Sequence, residues 1–291
     1  MKFVQFQKYD DTKGSVFLGV LKNNQTVCEV PYNGSMKDWI IRCEESPEKL
    51  VRLKESISRS DTVKHDISDI RIKAPLTNPE KMIFVGLNYY DHAKESNMEV
   101  PKVPVLFPKY NNSIVGPEDN VIIPTEVTQC DYEVELAIVI GKTAKHVSID
   151  SAMDHVFGYT IINDVSSRDI QLGEAQWTRG KAIDTFSPMG PCIVTHEEIP
   201  DPQQLSLSLK LNGEVMQDSN TQEMIFNVPY LISFLSKTIT LSPGDIISTG
   251  TPLGVGMGQN PPVWLKEGDV TEAIVEGIGT LRNRYVREES F

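Results

Sequence analysis

The stretch Asp131-Tyr-Glu-Val-Glu-Leu-Ala-Ile-Val-Ile-Gly141 places acidic side chains at the start of a continuous apolar run. The run predicts a buried strand, and side chains on a strand alternate between its two faces. Glu133 and Glu135 therefore share one face, with Asp131 on the same side. Like charges this close repel, so a buried position requires a compensating cation, either a basic side chain or a metal ion. The alternative is that these carboxylates lie on the solvated outer face of an edge strand.

Short apolar segments separated by Gly and Pro turns surround this stretch from residue 75 onward, and helical patterns are few, chiefly over 89–97, 151–156 and 228–237. Many short strands with few helices favour packed or closed sheets over a doubly wound α/β fold. The sequence contains neither a Gly-x-Gly-x-x-Gly motif between a strand and a helix nor a Gly-x-x-x-x-Gly-Lys-Ser/Thr motif, the two glycine patterns that bind nucleotides. The glycine-rich segment 250–258 (GTPLGVGMG) is interpreted as a tight loop that lines a site. We predict an α+β fold that is mainly β with some α.

Residues 1–70 have a different texture and predict a small N-terminal β/α domain. Strand patterns at 2–7, 15–21 and 26–30 are followed by a helical pattern over 36–58 that Pro47 interrupts. The polar stretch SRSDTVKHDISD then marks a boundary at about residue 70. Residues 71–291 form the second, larger domain of this prediction.

The chain of 291 residues has 40 acidic against 28 basic side chains and a formal net charge of −12. This balance argues against nucleic acid and membrane surfaces as partners, because both attract clustered Lys and Arg. No apolar run is long enough to span a membrane. The four cysteines are scattered, which indicates a reducing compartment. Since the N-terminus has no signal-peptide pattern, we expect a cytoplasmic protein, or a mitochondrial matrix protein if a targeting peptide precedes this sequence.

A third carboxylate, Asp164, ends the apolar segment FGYTIIN. Strand ends are where a rigid scaffold often presents its site residues. Glu133, Glu135 and Asp164 would together form an all-oxygen ligand set, which suits Mg²⁺, Mn²⁺ or Ca²⁺ rather than Zn²⁺. Asp169 could be a further ligand, but a salt bridge to Arg168 or a helix-capping role is the simpler interpretation.

The His92–Glu95 pair and Lys181 are further candidates for catalytic roles. His92 and Glu95 are three residues apart, which places them on one face of a helical turn, where a carboxylate can orient an imidazole as a general base. The alternative for this pair is a surface hydrogen bond. Lys181 stands between glycine and apolar residues, where it could neutralise the carboxylates or an anionic intermediate, or form an ion pair with Asp184.

Five segments, in this order, resemble the fumarylacetoacetate hydrolase superfamily: GLNYYDHAKE (86–95), DYEVELAIVIG (131–141), INDVSSRDIQ (162–171), RGKAIDTFSPMGP (179–191) and STGTPLGVG (248–256). The resemblance covers residues from about 80 to 285. SIVGPEDNVIIP, QWTRGKAIDTFSPMGP and PPVWLKEGD are most similar to the branch of the fumarylacetoacetate hydrolase domain-containing protein 2 and its bacterial relatives. The resemblance implies a mixed β-roll of packed sheets behind a small N-terminal domain, assembled as a homodimer.

The same resemblance implies roles for nine residues of the larger domain. The divalent-metal ligands, usually of Mg²⁺ or Mn²⁺, match Glu133, Glu135 and Asp164. The catalytic dyad, on a short mobile lid, matches His92 and Glu95. The lysine near the metal-bound substrate matches Lys181. The substrate contacts match Arg168, Gln171 and Thr251.

The function implied by this resemblance is metal-dependent chemistry on a small 2-oxo acid. Such an acid can chelate a metal through its C1 carboxylate and C2 keto oxygen, and the metal and Lys181 would stabilise its enolate. The branch favours tautomerisation or decarboxylation of oxaloacetate. The alternatives are hydrolysis of an acylpyruvate or fumarylpyruvate by water that the His92 dyad activates, and isomerisation of 2-hydroxyhepta-2,4-diene-1,7-dioate. A metal-stabilised protein that only binds a metabolite is the competing hypothesis from another class.

Overall fold

The computed structural model describes residues 1–23, 25–59, 62–95 and 98–289. The α-helices in these ranges are α1 (Met36–Glu45), α2 (Glu48–Ser56), α3 (Tyr90–Glu95), α4 (Arg168–Gly173), α5 (Thr178–Lys181) and α6 (Val228–Ser236). The strands are β1 (Lys2–Lys8), β2 (Phe17–Asn23), β3 (Thr26–Glu29), β4 (Lys64–Asp66), β5 (Ile70–Lys73), β6 (Met82–Gly86), β7 (Val105–Lys109), β8 (Ile114–Val115), β9 (Asn120–Ile123), β10 (Cys130–Asp131), β11 (Val134–Ile140), β12 (Val156–Asn163), β13 (Ser166–Ser167), β14 (Ser187–Thr195), β15 (Ser206–Leu211), β16 (Glu214–Asn220), β17 (Ile246–Ser248), β18 (Val270–Val275) and β19 (Gly279–Arg287).

A large mixed sheet, the main sheet, runs through the molecule in the strand order β4–β3–β2–β1–β14–β12–β11–β17–β6–β7. β5 joins it against β1, and β8 joins it against β14. A second sheet has the order β16–β15–β18–β19–β9, and β10 and β13 form a short pair. Apolar side chains of the second sheet share a core cluster with one face of the main sheet, so the two sheets pack on each other.

β11 lies near the centre of the main sheet, and all of its residues are buried. Val134, Leu136 and Ile138 belong to the core cluster shared with the second sheet. Ala137 and Val139 belong to a different cluster on the opposite face. The predicted alternation is therefore confirmed. The edge-strand alternative is wrong, because β12 and β17 flank β11.

The N-terminal strands continue the main sheet, since β1 pairs with β14 at Phe3↔Ile193. α1 begins at a capping box in which Ser35 Oγ accepts the N–H of Asp38 and the Asp38 carboxylate accepts the N–H of Ser35. Pro47 separates α1 from α2, as its position in the sequence predicts. The division of the chain into domains near residue 70 stays a prediction.

The arrangement confirms an α+β fold in which strands predominate. The helices predicted over 36–58, 89–97 and 228–237 are present as α1 with α2, α3 and α6, although α3 ends at Glu95 and residue 97 lies outside the described residues. The pattern over 151–156 forms only a 3₁₀ turn at Ala152–His155. Among the helices described here, none has both the length and the apolar composition that crossing a bilayer requires.

Candidate active site

The carboxylates of Glu133, Glu135 and Asp164 meet where the start of β11 lies beside the end of β12. These strands are antiparallel with Val134 opposite Asn163, so a residue just before the first strand is next to one just after the second. One oxygen of each carboxylate lies within 4.8 Å of the others, and all three side chains are buried. Three converging carboxylate oxygens of this kind can hold a divalent cation.

Asn163 fixes the backbone at this junction. Its Oδ1 accepts the N–H of Glu133 at 2.9 Å. The next residue, Asp164, donates its N–H to the carbonyl oxygen of Glu133 at 2.8 Å. Because these bonds keep Glu133 extended into β11, its side chain points to the same side as that of Glu135.

Lys181 lies at the end of α5, between two of the carboxylates. Its Nζ is 2.7 Å from Glu133 Oε2 and 2.7 Å from Asp164 Oδ2. Burial opposes its positive charge, but the charges of these two carboxylates outweigh burial and raise the pKa of Lys181. The alternative pairing with Asp184 is wrong, since Asn112 Nδ2 donates to that carboxylate instead.

Arg168 is the second cation of the cluster, and its guanidinium bridges Asp131 and Glu133 at 2.8 Å and 2.5 Å. Burial disfavours the charge of Glu133, but Lys181 and Arg168 outweigh burial and hold the pKa of this carboxyl well below its ordinary value. Asp131 also accepts the N–H of Gly256 at 2.6 Å, so it connects Arg168 to the glycine-rich loop. Asp131, predicted on the same face as Glu133 and Glu135, therefore pairs with Arg168 and is not one of the three converging carboxylates.

Lys109, at the end of β7, is a third buried cation, and sequence reasoning missed it. Its Nζ donates to Asp164 Oδ1 at 2.7 Å and to the carbonyl oxygens of Val165 and Phe186 at 3.2 Å and 2.7 Å. Burial lowers the pKa of Lys109, and the charge of Asp164 opposes that effect. The only signal in the sequence is a lysine that closes an apolar strand segment, PVLFPK.

Glu135 has no ion pair within the described part of the chain. The Ser248 hydroxyl and the N–H of Gly250, at 3.1 Å, donate to its Oε2. Burial, followed by the negative charges of Asp164 and Glu133, raises the pKa of Glu135 well above its ordinary value. This carboxylate is therefore the uncompensated member of the cluster. Ser248 is another residue that the sequence analysis did not single out.

The charges of the cluster do not balance. Four buried carboxylates face three buried cations, namely Asp131, Glu133, Glu135 and Asp164 against Lys109, Arg168 and Lys181. When all four carboxyls are ionised, four minus three leaves one excess negative charge away from water, and the raised pKa of Glu135 reflects that cost in the absence of a compensating cation. A hard divalent cation fits both this excess and the all-oxygen donor set.

His92 and Glu95 form the predicted pair on α3. His92 Nδ1 is 3.1 Å from Glu95 Oε2, and Glu95 Oε1 accepts the N–H of Gly254 at 2.9 Å. Gly254 has φ +96°, and a Cβ there would lie 2.1 Å from the carbonyl oxygen of Met216. The loop can therefore pack against β16 while its N–H reaches Glu95 only because residue 254 is glycine. His92 is 6% exposed, so the pair is part of a buried site rather than a surface contact.

The three residues predicted as substrate contacts line the same pocket as the carboxylates. Arg168 and Gln171 both lie on α4, and Arg168 Nη1 donates to Gln171 Oε1 at 3.0 Å. Thr251 lies in the glycine-rich loop, and its hydroxyl donates to the carbonyl oxygen of Val134 at 3.0 Å. The apolar side of the pocket includes Val85, Phe107, Trp177 and Met257. The free volume is about 40 Å³.

Asp169, although close in sequence to the site, lies outside the cluster. Its carboxylate accepts from the backbone N–H and hydroxyl of Thr128 at 2.7 Å and 2.6 Å, and from Ser167 Oγ at 2.5 Å. Burial opposes its charge, but the hydrogen bonds from Ser167 and Thr128 prevail and lower the pKa of Asp169 to about 2. Neither the metal-ligand interpretation nor the salt bridge to Arg168 describes this residue.

Comparison with known proteins identifies a family match and similar proteins. Residues 81–286 match the family described as Fumarylacetoacetate (FAA) hydrolase C-terminal. The chain is 42% identical over 288 residues to the oxaloacetate tautomerase fahd2, mitochondrial, of Xenopus laevis, which covers 98% of this chain and 90% of that protein. It is 48% identical over 221 residues to the oxaloacetate tautomerase FAHD2A, mitochondrial, of Bos taurus. That match covers 75% of this chain and 70% of the bovine protein.

Solved structures show the likeness in three dimensions. A fumarylacetoacetate hydrolase from psychrophilic Exiguobacterium antarcticum superimposes with a TM-score of 0.84 at 37% identity, over 99% of this chain and 100% of that one. A 5-carboxymethyl-2-hydroxymuconate delta-isomerase from Mycobacterium smegmatis gives 0.79 at 34% identity, over 100% of both chains. The likeness therefore extends over the whole fold and is not confined to the residues around the pocket.

Proposed function

The chain belongs to the fumarylacetoacetate hydrolase family, and we propose that within this family of enzymes it is a divalent-metal-dependent oxaloacetate tautomerase. The observation that carries the proposal is the buried carboxylate cluster with one excess negative charge, in which Lys181 lies 2.7 Å from two of the metal-ligand carboxylates. Such a site binds a divalent cation and places a second positive charge beside it. That combination suits a reaction in which negative charge develops on an oxygen of the substrate.

We propose Mg²⁺ or Mn²⁺ as the ion, with Ca²⁺ as a third candidate, because all three prefer oxygen ligands. Glu133, Glu135 and Asp164 would hold it. When bound, such an ion acts as a Lewis acid that polarises the keto oxygen of a 2-oxo acid. Neutralisation of Glu135 is the main electrostatic consequence for the protein, since this carboxylate has no other cationic partner among the described residues.

Tautomerisation of oxaloacetate moves one proton between C3 and the oxygen on C2. We assign the proton at C3 to His92, because Glu95 engages Nδ1 and leaves Nε2 for proton transfer. We assign charge stabilisation at the C2 oxygen to Lys181, whose buried ammonium acts more strongly than it would in water. The hydrogen bond from Gly254 to Glu95 keeps the dyad against the pocket.

Arg168, Gln171 and Thr251 are proposed to contact the substrate, since all three line the pocket beside the carboxylates. Both curated relatives described above are named oxaloacetate tautomerases, and carrying that substrate over to this chain is part of the proposal.

The test follows enol absorbance and pyruvate release in one reaction, with the protein in EDTA and after addition of Mg²⁺ or Mn²⁺. We expect the decay of enol-oxaloacetate to accelerate only with the ion and without stoichiometric pyruvate. Lys181→Met, which keeps the length of the side chain and removes its charge, should lose this acceleration. Pyruvate release would instead identify a decarboxylase, and cleavage of acylpyruvates would identify a C–C hydrolase. No turnover of any of these acids with either ion would favour a protein that only binds a metabolite.

We also propose that the chain assembles as a homodimer. A groove of about 830 Å³ beside α4 and α5 includes Ile183 and the exposed side chains of Tyr110 and Ile122, which a second copy could cover. Light scattering after size-exclusion chromatography distinguishes dimer from monomer. The cytoplasmic location stays a prediction, and cell fractionation with a mitochondrial marker tests it against the matrix, the compartment in the relatives' names.

A further inference from the structure

The hydrogen-bond ladder on one side of β11 stops before it reaches the metal ligands. β17 pairs with β11 from Ala137↔Ser248 to Val139↔Ile246, and the N–H of Thr249 then reaches the carbonyl oxygen of Leu136 at 3.0 Å. The chain beyond residue 249 turns into the glycine-rich loop. The backbone of Val134, which separates Glu133 from Glu135, therefore has no strand partner on that side.

Two side chains replace the missing strand at Val134. Gln217 Oε1 accepts the N–H of Val134 at 2.9 Å, and Thr251 Oγ1 donates to the carbonyl oxygen of Val134 at 3.0 Å. Gln217 Nε2 donates to Thr251 Oγ1 at 2.8 Å and to the carbonyl oxygen of Pro252 at 3.0 Å. The three groups form a closed circuit of hydrogen bonds, which we call the Val134 circuit. Every polar atom of this buried circuit is satisfied only while all three members are present.

Gln217 comes from the second sheet, and its position has a specific origin in β16. The pairing of β15 with β16 shifts register between Leu209↔Gln217 and Lys210↔Val215, so Met216 is an extra residue in a β-bulge. Bulges re-aim side chains, and the Gln217 side chain is fully buried while its neighbours on β16 are partly or fully exposed. The bulge thus delivers one amide from the second sheet to the start of β11.

We propose that Gln217 is a positioning residue for the metal site, acting through the backbone of Val134. This assignment rests on the proposed metal-dependent function. By holding both polar groups of Val134, Gln217 and Thr251 keep residues 133–135 extended, and only an extended backbone points Glu133 and Glu135 to the same side. The circuit also commits the hydroxyl proton of Thr251 to Val134, so Thr251 supports the ligands as well as lining the pocket.

The experiment measures Mn²⁺ affinity by isothermal titration calorimetry on the intact chain without substrate. Gln217→Met keeps a long unbranched side chain and removes both arms of the circuit. We expect its dissociation constant for Mn²⁺ to rise by about tenfold or more, as is typical when a group that orients metal ligands is lost. Thr251→Val opens the same circuit at the carbonyl of Val134 and should have a similar effect, which Thr251→Ser should reverse.

Gln203→Met is the matched control. Gln203 also accepts one backbone N–H, from Val228 at 2.8 Å, and donates to one backbone carbonyl, that of Thr221 at 2.9 Å, but it does not line the pocket. The control should lose thermal stability as Gln217→Met does, yet keep its Mn²⁺ dissociation constant within about twofold, because its ligands stay oriented. A purely structural role for Gln217 would make the two variants alike in both measurements.

The Gln217→Met/Thr251→Val double variant decides whether the two residues act together. Members of one network lose affinity non-additively, so the double variant should bind Mn²⁺ about as weakly as either single variant. If Gln217→Met binds Mn²⁺ as tightly as the wild type, the assignment of Gln217 is overturned and the proposed function is not. Where that variant does not fold, wild-type affinity in Thr251→Val overturns it instead. A wild-type protein that binds no Mn²⁺ overturns the proposed function itself, and this assignment with it.

Discussion

Replacing Lys109 by methionine tests how the charges of the buried cluster hold the fold together. The Lys109 side chain is fully buried, and its ammonium donates to Asp164 Oδ1 and to the carbonyl oxygens of Val165 and Phe186. Methionine preserves the length and packing of the side chain but leaves these acceptors unpaired. Removal of one partner from a buried ion pair costs about 3–5 kcal/mol, because the remaining charge stays buried. We expect the free energy of unfolding of Lys109→Met in EDTA to fall by that amount.

The control is Lys81→Met. Lys81 Nζ lies 2.8 Å from Asp245 Oδ2, but its side chain is 27% exposed, and the Asp245 carboxylate also accepts backbone N–H groups from Lys81 and Ser242. The Asp245 carboxylate is buried, but it keeps two backbone donors and the Lys81 ammonium can return to water, so loss of Lys81 should cost less, about 1 kcal/mol. Urea unfolding followed by circular dichroism compares both variants with the wild type. An equal loss in the two variants would refute the argument from buried charge.

Addition of Mg²⁺ in the same experiment tests whether Lys109 takes part in the charge balance of the cluster. Lys109→Met changes the cluster from four carboxylates against three cations to four against two. The variant therefore has more uncompensated charge for a divalent cation to neutralise, and it should gain more stability from Mg²⁺ than the wild type does. At a concentration one hundred times the dissociation constant, ligand binding adds about 2.7 kcal/mol. An equal gain in both proteins would show that Lys109 does not take part in the charge balance of the site.

Four further substitutions test the site. In the metal-free protein, burial and the neighbouring carboxylates hold the pKa of Glu135 above its unfolded value of about 4.3. Folding therefore takes up a proton, and the free energy of unfolding falls as pH rises through the folded pKa. Glu135→Gln should flatten that decline in differential scanning fluorimetry and abolish Mn²⁺ binding in calorimetry; a decline that persists would exclude Glu135 as its source. His92→Ala should slow enol decay by at least about 10²-fold with Mn²⁺ affinity unchanged, and Glu95→Gln should slow it less; a wild-type rate in His92→Ala would remove that residue from proton transfer. Gly254→Ala should lower the melting temperature, because the left-handed φ and the contact with Met216 make the change cost more than about 1 kcal/mol; an unchanged melting temperature would contradict the close approach of the loop.

The three converging carboxylates were predictable because their signal is local. Glu133 and Glu135 are two residues apart at the start of an apolar run, and that spacing places them on one face of any strand. Asp164 ends the next long apolar segment, and a strand end is a common place for a site residue. Pairing of the two strands then brings these ends together, which the structure shows at Val134↔Asn163.

The supporting residues were not predictable, because their roles depend on pairings between distant parts of the chain. Lys109 reaches Asp164 from β7, Ser248 reaches Glu135 from β17, and Gln217 arrives from the second sheet through a bulge. Apart from the apolar segment that ends at Lys109, nothing in the neighbouring sequence marks these residues as buried and bonded. The sequence likewise does not show that Arg168 binds two carboxylates.

Two long strands are not apparent in the sequence for a related reason. β16 (EVMQDSN) and β19 (GTLRNRYVR) are rich in polar residues and contain few apolar positions. β16 lies at the edge of the second sheet, and one side of β19 is solvated. Strands of this kind bury only part of one face, so their apolar alternation is weak. The tertiary pairing, not the local composition, makes these segments strands.

Under the proposed function, the position of Lys181 accounts for the attraction of an anionic substrate to an acidic protein. The net charge of −12 predicts repulsion, but the potential inside a buried pocket depends on the few groups that line it. Lys181 Nζ contacts Glu133 and Asp164, the carboxylates that a metal ion would also need. Glu133 and Asp164 would hold the proposed cation, and sharing their oxygens with it would weaken their hold on the Lys181 ammonium, which could then bind an oxygen of an anionic substrate. Under the proposed function, binding of the cation and attraction of the anion would therefore be coupled through one lysine, and neither would depend on the charge of the outer surface.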